Sequence, residues 1–381
     1  MVISNKPLNL FLAIVILTMP FLGFSNAEKD SLTVEKHAAE AGHAATEHKV
    51  EGAVKTKDAV NAYIEHHLQD SYDFNFFSDG EKGVHYGFSL PIILWDNGLK
   101  VFSSSQFHND KEVANVDGTF YKLHHGKIYV SDAEGSLALD GHDHPTNVKP
   151  LDFSITKNVV SMLFAAFLVF FMFTSLAKAY KKNGGLPSGF GRVLEPLIIF
   201  IRDEIAIPNI GEKKYRKFMG YLLTVFFFIW ILNLLGMTPL GINVTGNIAV
   251  TVCLALFTFL ITQFSANKDY WKHIFWMPGV PVPMKIILMP IELLGTLTKP
   301  FALLIRLFAN ITAGHVVIMS LIAMIFVGKN LASDMPISIG LTLFISIIEI
   351  LVAFLQAFIF TMLSSLFIGM AVQDHDHDDH H

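Results

Sequence analysis

The chain has 381 residues, of which 52% are hydrophobic and only 16% charged, and its mean hydropathy is +0.46. A formal net charge of −5 gives no basic footprint for nucleic acid, and a lone Cys253 within an apolar run excludes an intrachain disulfide. Such a composition belongs to an integral membrane protein with a polar region attached.

The amino-terminal stretch reads as a secretory leader over residues 1–27. Lys6 is its charged region, 8–17 its apolar core, and Ser25-Asn26-Ala27 a small-residue cleavage site. A retained anchor helix is the alternative. Cleavage would leave the next region outside the cytoplasm. That region, 28–150, is polar and holds 11 of the 17 His. Residues 28–58 have the composition of loose helix or disorder. Residues 62–69 suggest a short amphipathic helix. Over 84–130, short apolar runs alternate with Asp-Asn-Gly and Asp-Gly turns, the pattern of small β-hairpins.

A membrane domain over 151–381 follows, with apolar segments at 158–180, 218–240, 247–267, 284–327 and 337–372. Nine Lys or Arg lie between residues 178 and 217, which reads as a cytoplasmic loop under the positive-inside rule. Residues 241–246 carry no charge and suit the outside. Lys268, Lys272 and Lys285 mark the next connection as cytoplasmic. Five crossings put residues 28–150 in the periplasm and the C-terminus in the cytoplasm. The predicted fold class is therefore an all-α integral membrane protein of five membrane segments, with an N-terminal extracytoplasmic region.

The last two segments are too long for simple spans. Segment 284–327 would run about 66 Å as a helix at 1.5 Å per residue, against a hydrocarbon core of about 30 Å. It must tilt steeply or break, and Pro290 and Pro300 are places to bend. A short loop near 329–336 would join the two into a long tilted helical hairpin.

Within this hairpin lies Arg306. A guanidinium stays protonated at any working pH, so it cannot escape its desolvation cost by losing a proton. A charge kept at membrane depth marks a functional site by default, a snorkelling or structurally paired Arg being the alternative. Glu292, Lys299 and Arg306 are spaced by seven, within about 20° of one helix face at each step, and Asn310 is about 40° away. His315 falls half a turn off, about 13 Å further along the helix. Taking the turn near residue 332, His315 and Glu349 match in depth, as do Arg306 and Gln356. A buried His and carboxylate within reach exchange protons readily. Two offset polar pathways emerge, one through His315 and Glu349, the other along Asn310, Lys299 and Glu292, with Arg306 between them. A fixed positive charge blocks a hopping proton and attracts a carboxylate carried past on a partner.

Leu304-Ile305-Arg306-Leu307-Phe308-Ala309-Asn310 resembles the central helix motif of subunit a of the F-type ATP synthase. Many members have Gly where Ala309 stands. Leu355-Gln356-Ala357-Phe358-Ile359-Phe360 is similar to the last-helix motif, and Asn233-Leu234-Leu235-Gly236-Met237-Thr238-Pro239 to the end of the family's second span. Tyr63-Ile64-Glu65-His66-His67-Leu68 resembles its external segment. In some members the residues at positions 315 and 349 are exchanged, an acid and a His respectively.

The resemblance implies a non-catalytic stator of the membrane sector in a bacterial inner membrane. Its implied partners are a c-subunit ring, a b-subunit stalk, the remaining ATP synthase subunits and lipid. It also implies two proton half-channels serving a carboxylate on the ring. No cofactor or metal is implied. The chain has no Walker-type Gly-rich loop. An intramembrane hydrolase is disfavoured, since no His-Glu-x-x-His pair exists and no Ser or Cys is placed as a nucleophile. A secondary transporter would show internal repeats, and none is found. His142-Asp143-His144 and residues 374–381 have a metal-binding composition but read as solvated tails.

Overall fold

The computed structural model describes residues 70–79, 84–107, 112–140, 145–184, 186–187, 189–238, 242–277, 280–327 and 331–373. The expected leader, the 62–69 helix, His142-Asp143-His144 and the 374–381 tail lie outside the described residues.

The polar region forms short antiparallel strands. β1 (Asp73–Asp79) pairs with β2 (Val84–Ser89), and β3 (Pro91–Trp95) with β4 (Leu99–Ser103). β5 (Ala114–Val116), β6 (Thr119–His124) and β7 (Lys127–Ser131) make a meander, and β8 (Leu151–Asp152) returns beside β3. Asp117-Gly118 and His125-Gly126 each close a two-residue hairpin with both φ angles positive, the backbone that matches strand twist. Ile92, Leu94, Phe102, Phe107, Tyr121 and Ile128 fill the core beneath. Burial and an acceptor on Asp96, 3.0 Å away, push the Tyr121 phenol up to about 12.

This region is clamped to the first membrane helix, α1 (Lys157–Lys182). The Lys157 amide donates to the Ser71 carbonyl at 2.9 Å, and the Asn158 amide to Asp70 Oδ1 at 3.1 Å. Phe74 and Leu90 share one apolar core with Val159 and Met162. Burial raises the Asp70 carboxyl above its ordinary range, partly offset by the Asn158 amide and the Lys157 charge.

Four more long apolar helices follow: α4 (Tyr215–Gly236), α5 (Ile248–Ser265), α7 (Val282–Val327) and α8 (Leu331–Val372). With α1 these are, among the described residues, the five helices long and apolar enough to cross a membrane. Phe226, Phe227 and Phe228 on α4 are fully buried, and Phe226 and Trp230 meet Phe354 of α8 edge-on at 5.6 and 5.8 Å. Quadrupole geometry favours such contacts over face-to-face stacking.

Two expectations are corrected. The basic stretch 178–217 is not a simple loop. It contains α2 (Gly191–Phe200), a π turn at Ile201–Ala206 and α3 (Ile207–Ile210). Leu194, Ile201 and Ile205 form an apolar stripe buried against the bundle, which the surrounding charges hide from a composition-based reading. The hairpin connection is also shorter than 329–336, because α8 starts at Leu331 and runs through Pro336. A proline near a helix end removes one amide bond, which a long apolar helix tolerates. Pro290 and Pro300 likewise lie inside an unbroken α7 of 46 residues. At about 69 Å long, it must cross at a steep tilt or extend beyond the hydrocarbon.

α8 is held where its last carbonyls need partners. Lys214 Nζ and Asn267 Nδ2 both donate to the Val372 carbonyl, at 2.5 and 2.9 Å, and the Asn267 amide donates to Ala371 at 2.9 Å. A cation there also complements the helix dipole.

Candidate functional site in the α7–α8 hairpin

α7 buries Leu303, Leu304, Leu307 and Ile311, spaced for one helical face, against the bundle. The opposite face is exposed and carries Phe301, Ile305, Arg306, Ala309, Asn310 and Ala313. Arg306 thus stands on the outer surface of the helix rather than in the bundle interior. Among the described residues it forms no ion pair. Ala302, Ala309 and Ala313 leave a low surface around it, which lets another helix approach closely.

Glu349 and Gln356 lie on the other side of the hairpin. Both are buried, at 8% and 4% exposure. The Glu349 carboxylate rests against α7 at Gly314, where an added Cβ would stand 2.5 Å from Oε1. Glycine is what makes room for the acid. Glu349 Oε2 has no hydrogen-bond partner among the described residues. His315 is the next residue on α7, with its side chain outside the described residues. A buried carboxylate with an open acceptor is costly unless a proton or a donor reaches it.

On the far side of Arg306, α5, α6 (Lys268–Phe275), α7 and α8 line a narrow cleft open to the surface. Thr258, Thr262, Gln263, Tyr270, Thr296 and Lys299 supply its polar lining. Lys299 Nζ stands 5.7 Å from the Phe367 ring centroid, and Glu292 on the same helix is half-buried. Gln263 Oε1 is buried with no partner among the described residues. Thr258 Oγ1 joins the Tyr221 hydroxyl at 2.7 Å, extending the polar thread toward α4. The exposed Asn310 is not among the lining residues.

Thr258, Thr262, Gln263 and Tyr270 did not emerge from the sequence. The signal was present, since Thr258 and Thr262 stand one helical turn apart in an otherwise apolar span. A hydroxyl that bonds its own helix, as Thr262 does to the Thr258 carbonyl at 2.8 Å, does not look out of place in an apolar segment. In the sequence Asn233 stands out only as part of a motif. Its Nδ2 donates to the Ala353 carbonyl at 3.3 Å, and its Oδ1 accepts from Thr245 at 3.0 Å, locking α4 to α8.

Residues 159–369 match the family model described as ATP synthase A chain, and residues 63–153 match one described as a domain of unknown function, DUF8433. The chain is 48% identical over 241 residues to ATP synthase subunit a 2 of Chlorobaculum tepidum, covering 61% of this chain and 68% of the relative. It is 47% identical over 322 residues to ATP synthase subunit a 2 of Prosthecochloris aestuarii, covering 80% and 97%. Against ATP synthase subunit a of an Anaeromyxobacter species it is 43% identical over 260 residues, covering 64% and 62%. With more than half of its length matched by one family model and near-half identity to such relatives, the chain belongs to the ATP synthase A chain family.

Proposed function

We propose that this chain is the stator of a proton-driven rotary ATP synthase, offering two half-channels to carboxylates on a ring of c subunits. The observation that carries it is an exposed Arg306 between two polar sites at different levels of one hairpin. Gly314, which receives the Glu349 carboxylate, is eight residues beyond Arg306, or about 12 Å along the helix. Lys299, in the opposite cleft, is seven residues before it, or about 10 Å. Along α7, Arg306 therefore stands at a level between the two sites.

Protons enter from the periplasm through His315 and Glu349, and Gln356 supports the inner end of that path. A ring carboxylate accepts the proton and rotates through lipid, then releases it on the other side of Arg306. From there Lys299 and Glu292, with the threonines and Tyr270 of the cleft, lead toward the cytoplasm, while Asn310, one turn beyond Arg306, stays at the Glu349 side of it. Arg306 holds the deprotonated carboxylate as a charge pair in transit and prevents a direct leak. The exposed alanine-lined face of α7 is where the ring packs, and a b-subunit stalk holds the chain against torque. The chain performs no bond-making chemistry. The leader over 1–27, a periplasmic 28–150 region and a cytoplasmic C-terminus complete the arrangement in the inner membrane.

Arg306→Ala tests the proposal in the assembled complex. Proton-driven ATP synthesis in vesicles should fall to background while the complex still purifies whole. Arg306→Lys should recover little, because a compact ammonium can deprotonate and cannot make a bidentate pair. Normal synthesis by an assembled Arg306→Ala complex would overturn the assignment.

A further inference from the structure

The three-stranded sheet β4-β3-β8 has one face turned to the core and one turned out. The register pairs Trp95 with Leu99 and Ile93 with Val101 on one side, and Trp95 with Leu151 on the other. The Phe153 amide donates to Ile93 at 2.8 Å and the Ile155 amide to Pro91 at 3.2 Å, so the returning chain stays beside β3 to its end. Alternation then sorts the side chains. Ile92, Leu94, Phe102, Asp152 and Ser154 point inward and are buried. The outward face carries Trp95, Leu99, Val101 and Leu151, exposed by 56, 60, 58 and 62%, together with Phe153 at 39%.

A contiguous exposed apolar face of this kind marks a surface meant to be covered. Its location identifies the cover. The strand bearing Leu151, Phe153 and Ile155 runs directly into α1, which begins at Lys157. α1 itself exposes Leu163, Phe164, Phe167 and Phe171 from its second turn onward. The apolar part of α1 from Val159 to Ala177 spans about 28 Å as a helix, close to the thickness of the hydrocarbon core. The membrane boundary therefore falls near Val159, only a few residues from the sheet. The clamp of Asp70, Ser71, Phe74 and Leu90 on the first turn of α1 fixes the sheet at that level. Trp95 sits at the hairpin end of the face, and indole side chains favour the headgroup layer.

We propose that the outer face of the β4-β3-β8 sheet lies on the bilayer, in the headgroup layer of the leaflet at the α1 amino-terminal end. The sheet serves as an interfacial float that sets the depth and tilt of α1. Nothing in this depends on the path of protons through the hairpin, so the two proposals stand or fall separately.

The test uses the whole complex in lipid vesicles. Cys253→Ala removes the native thiol, and Val101→Cys or Leu99→Cys, in separate variants, carries a nitroxide label. Asp117→Cys, on the exposed turn between β5 and β6, serves as the water-facing reference. At 99 and 101, relaxation by oxygen, which concentrates in lipid, should exceed relaxation by a water-soluble nickel chelate several-fold, with the order reversed at 117. A label at 101 and 99 that responds to nickel as strongly as that at 117 would overturn the proposal. So would protection from both agents, which would mean that another protein surface, or residues 1–69 of this chain, covers the face. Using two label sites guards against a single substitution that disturbs the sheet.

Discussion

Gly314 shows how one missing atom can make room for a buried carboxylate. The Glu349 carboxylate occupies the space that a side chain at 314 would take. Gly314→Ala should therefore displace the carboxylate and cut ATP-driven proton pumping by an order of magnitude or more, with the complex still assembled. Glu349→Asp in the same chain, shorter by one methylene, should restore part of that loss. If Gly314→Ala pumps normally, Glu349 has freedom to move and its position is not critical. Arg306 is the complementary case. Its importance follows from chemistry alone, since its charge is permanent, but its exposure on the unpartnered side of α7 follows only from packing. The spacing of seven from Glu292 through Lys299 to Arg306 did not predict that Lys299 lines a cleft while Arg306 stands in the open. A helical wheel gives direction, and neighbours decide burial.

At the scale of elements, side-chain hydrogen bonds fasten the hairpin to the rest of the bundle. Asn233 ties α4 to α8 at Ala353, and Asn209 of α3 donates to Ser365 Oγ at 3.0 Å. Gly369 allows the Asn209 carbonyl to approach α8 closely. Asn233→Leu removes a buried donor and strips Thr245 of its acceptor. It should cost roughly 1–3 kcal/mol, the range for leaving a buried polar group unpaired. Thermal dissociation of the purified complex should show a lower midpoint, and an unchanged midpoint would mean that the aromatic block of Phe226, Trp230 and Phe354 suffices. Asn233 was visible in the sequence as a motif residue, but its partner lies 120 positions away. No local pattern specifies such a pairing.

For the whole molecule, the two polar sites should open to opposite sides of the membrane. On a Cys253→Ala background, Cys at 292, 299 and 262 should react with a membrane-impermeant thiol reagent from the cytoplasm. Cys at 315 and 349 should react from the periplasm. Polar groups at lipid depth line water or protein, not hydrocarbon. One set of positions labelled from both sides would indicate a continuous pore, which would dissipate the gradient, and the half-channel arrangement would be abandoned. Position 262 carries particular weight. Thr262 belongs to the cleft only because α5, α6, α7 and α8 converge there.

The sequence by itself determined the membrane class, the five spans and the excess length of the last two. Apolar runs and charge clusters are local properties, governed by transfer of each residue from water to lipid. It also singled out Arg306 as the candidate functional centre, because the cost of a permanent charge in an apolar helix needs no structure to be recognised. Hairpin turns at Asp117-Gly118 and Asn97-Gly98 were legible for a similar reason, since few residues accept positive φ. Only the tertiary structure decided that basic residues 178–217 fold into helices, because their apolar stripe acquires meaning when a bundle exists to bury it. Only it joined Thr258, Thr262, Gln263 and Tyr270 to Lys299, and set Glu349 against Gly314. It alone showed that the apolar residues of β3, β4 and β8 emerge on one open face beside α1. These are relations between residues distant in sequence, fixed by the packing of helices and the register of strands.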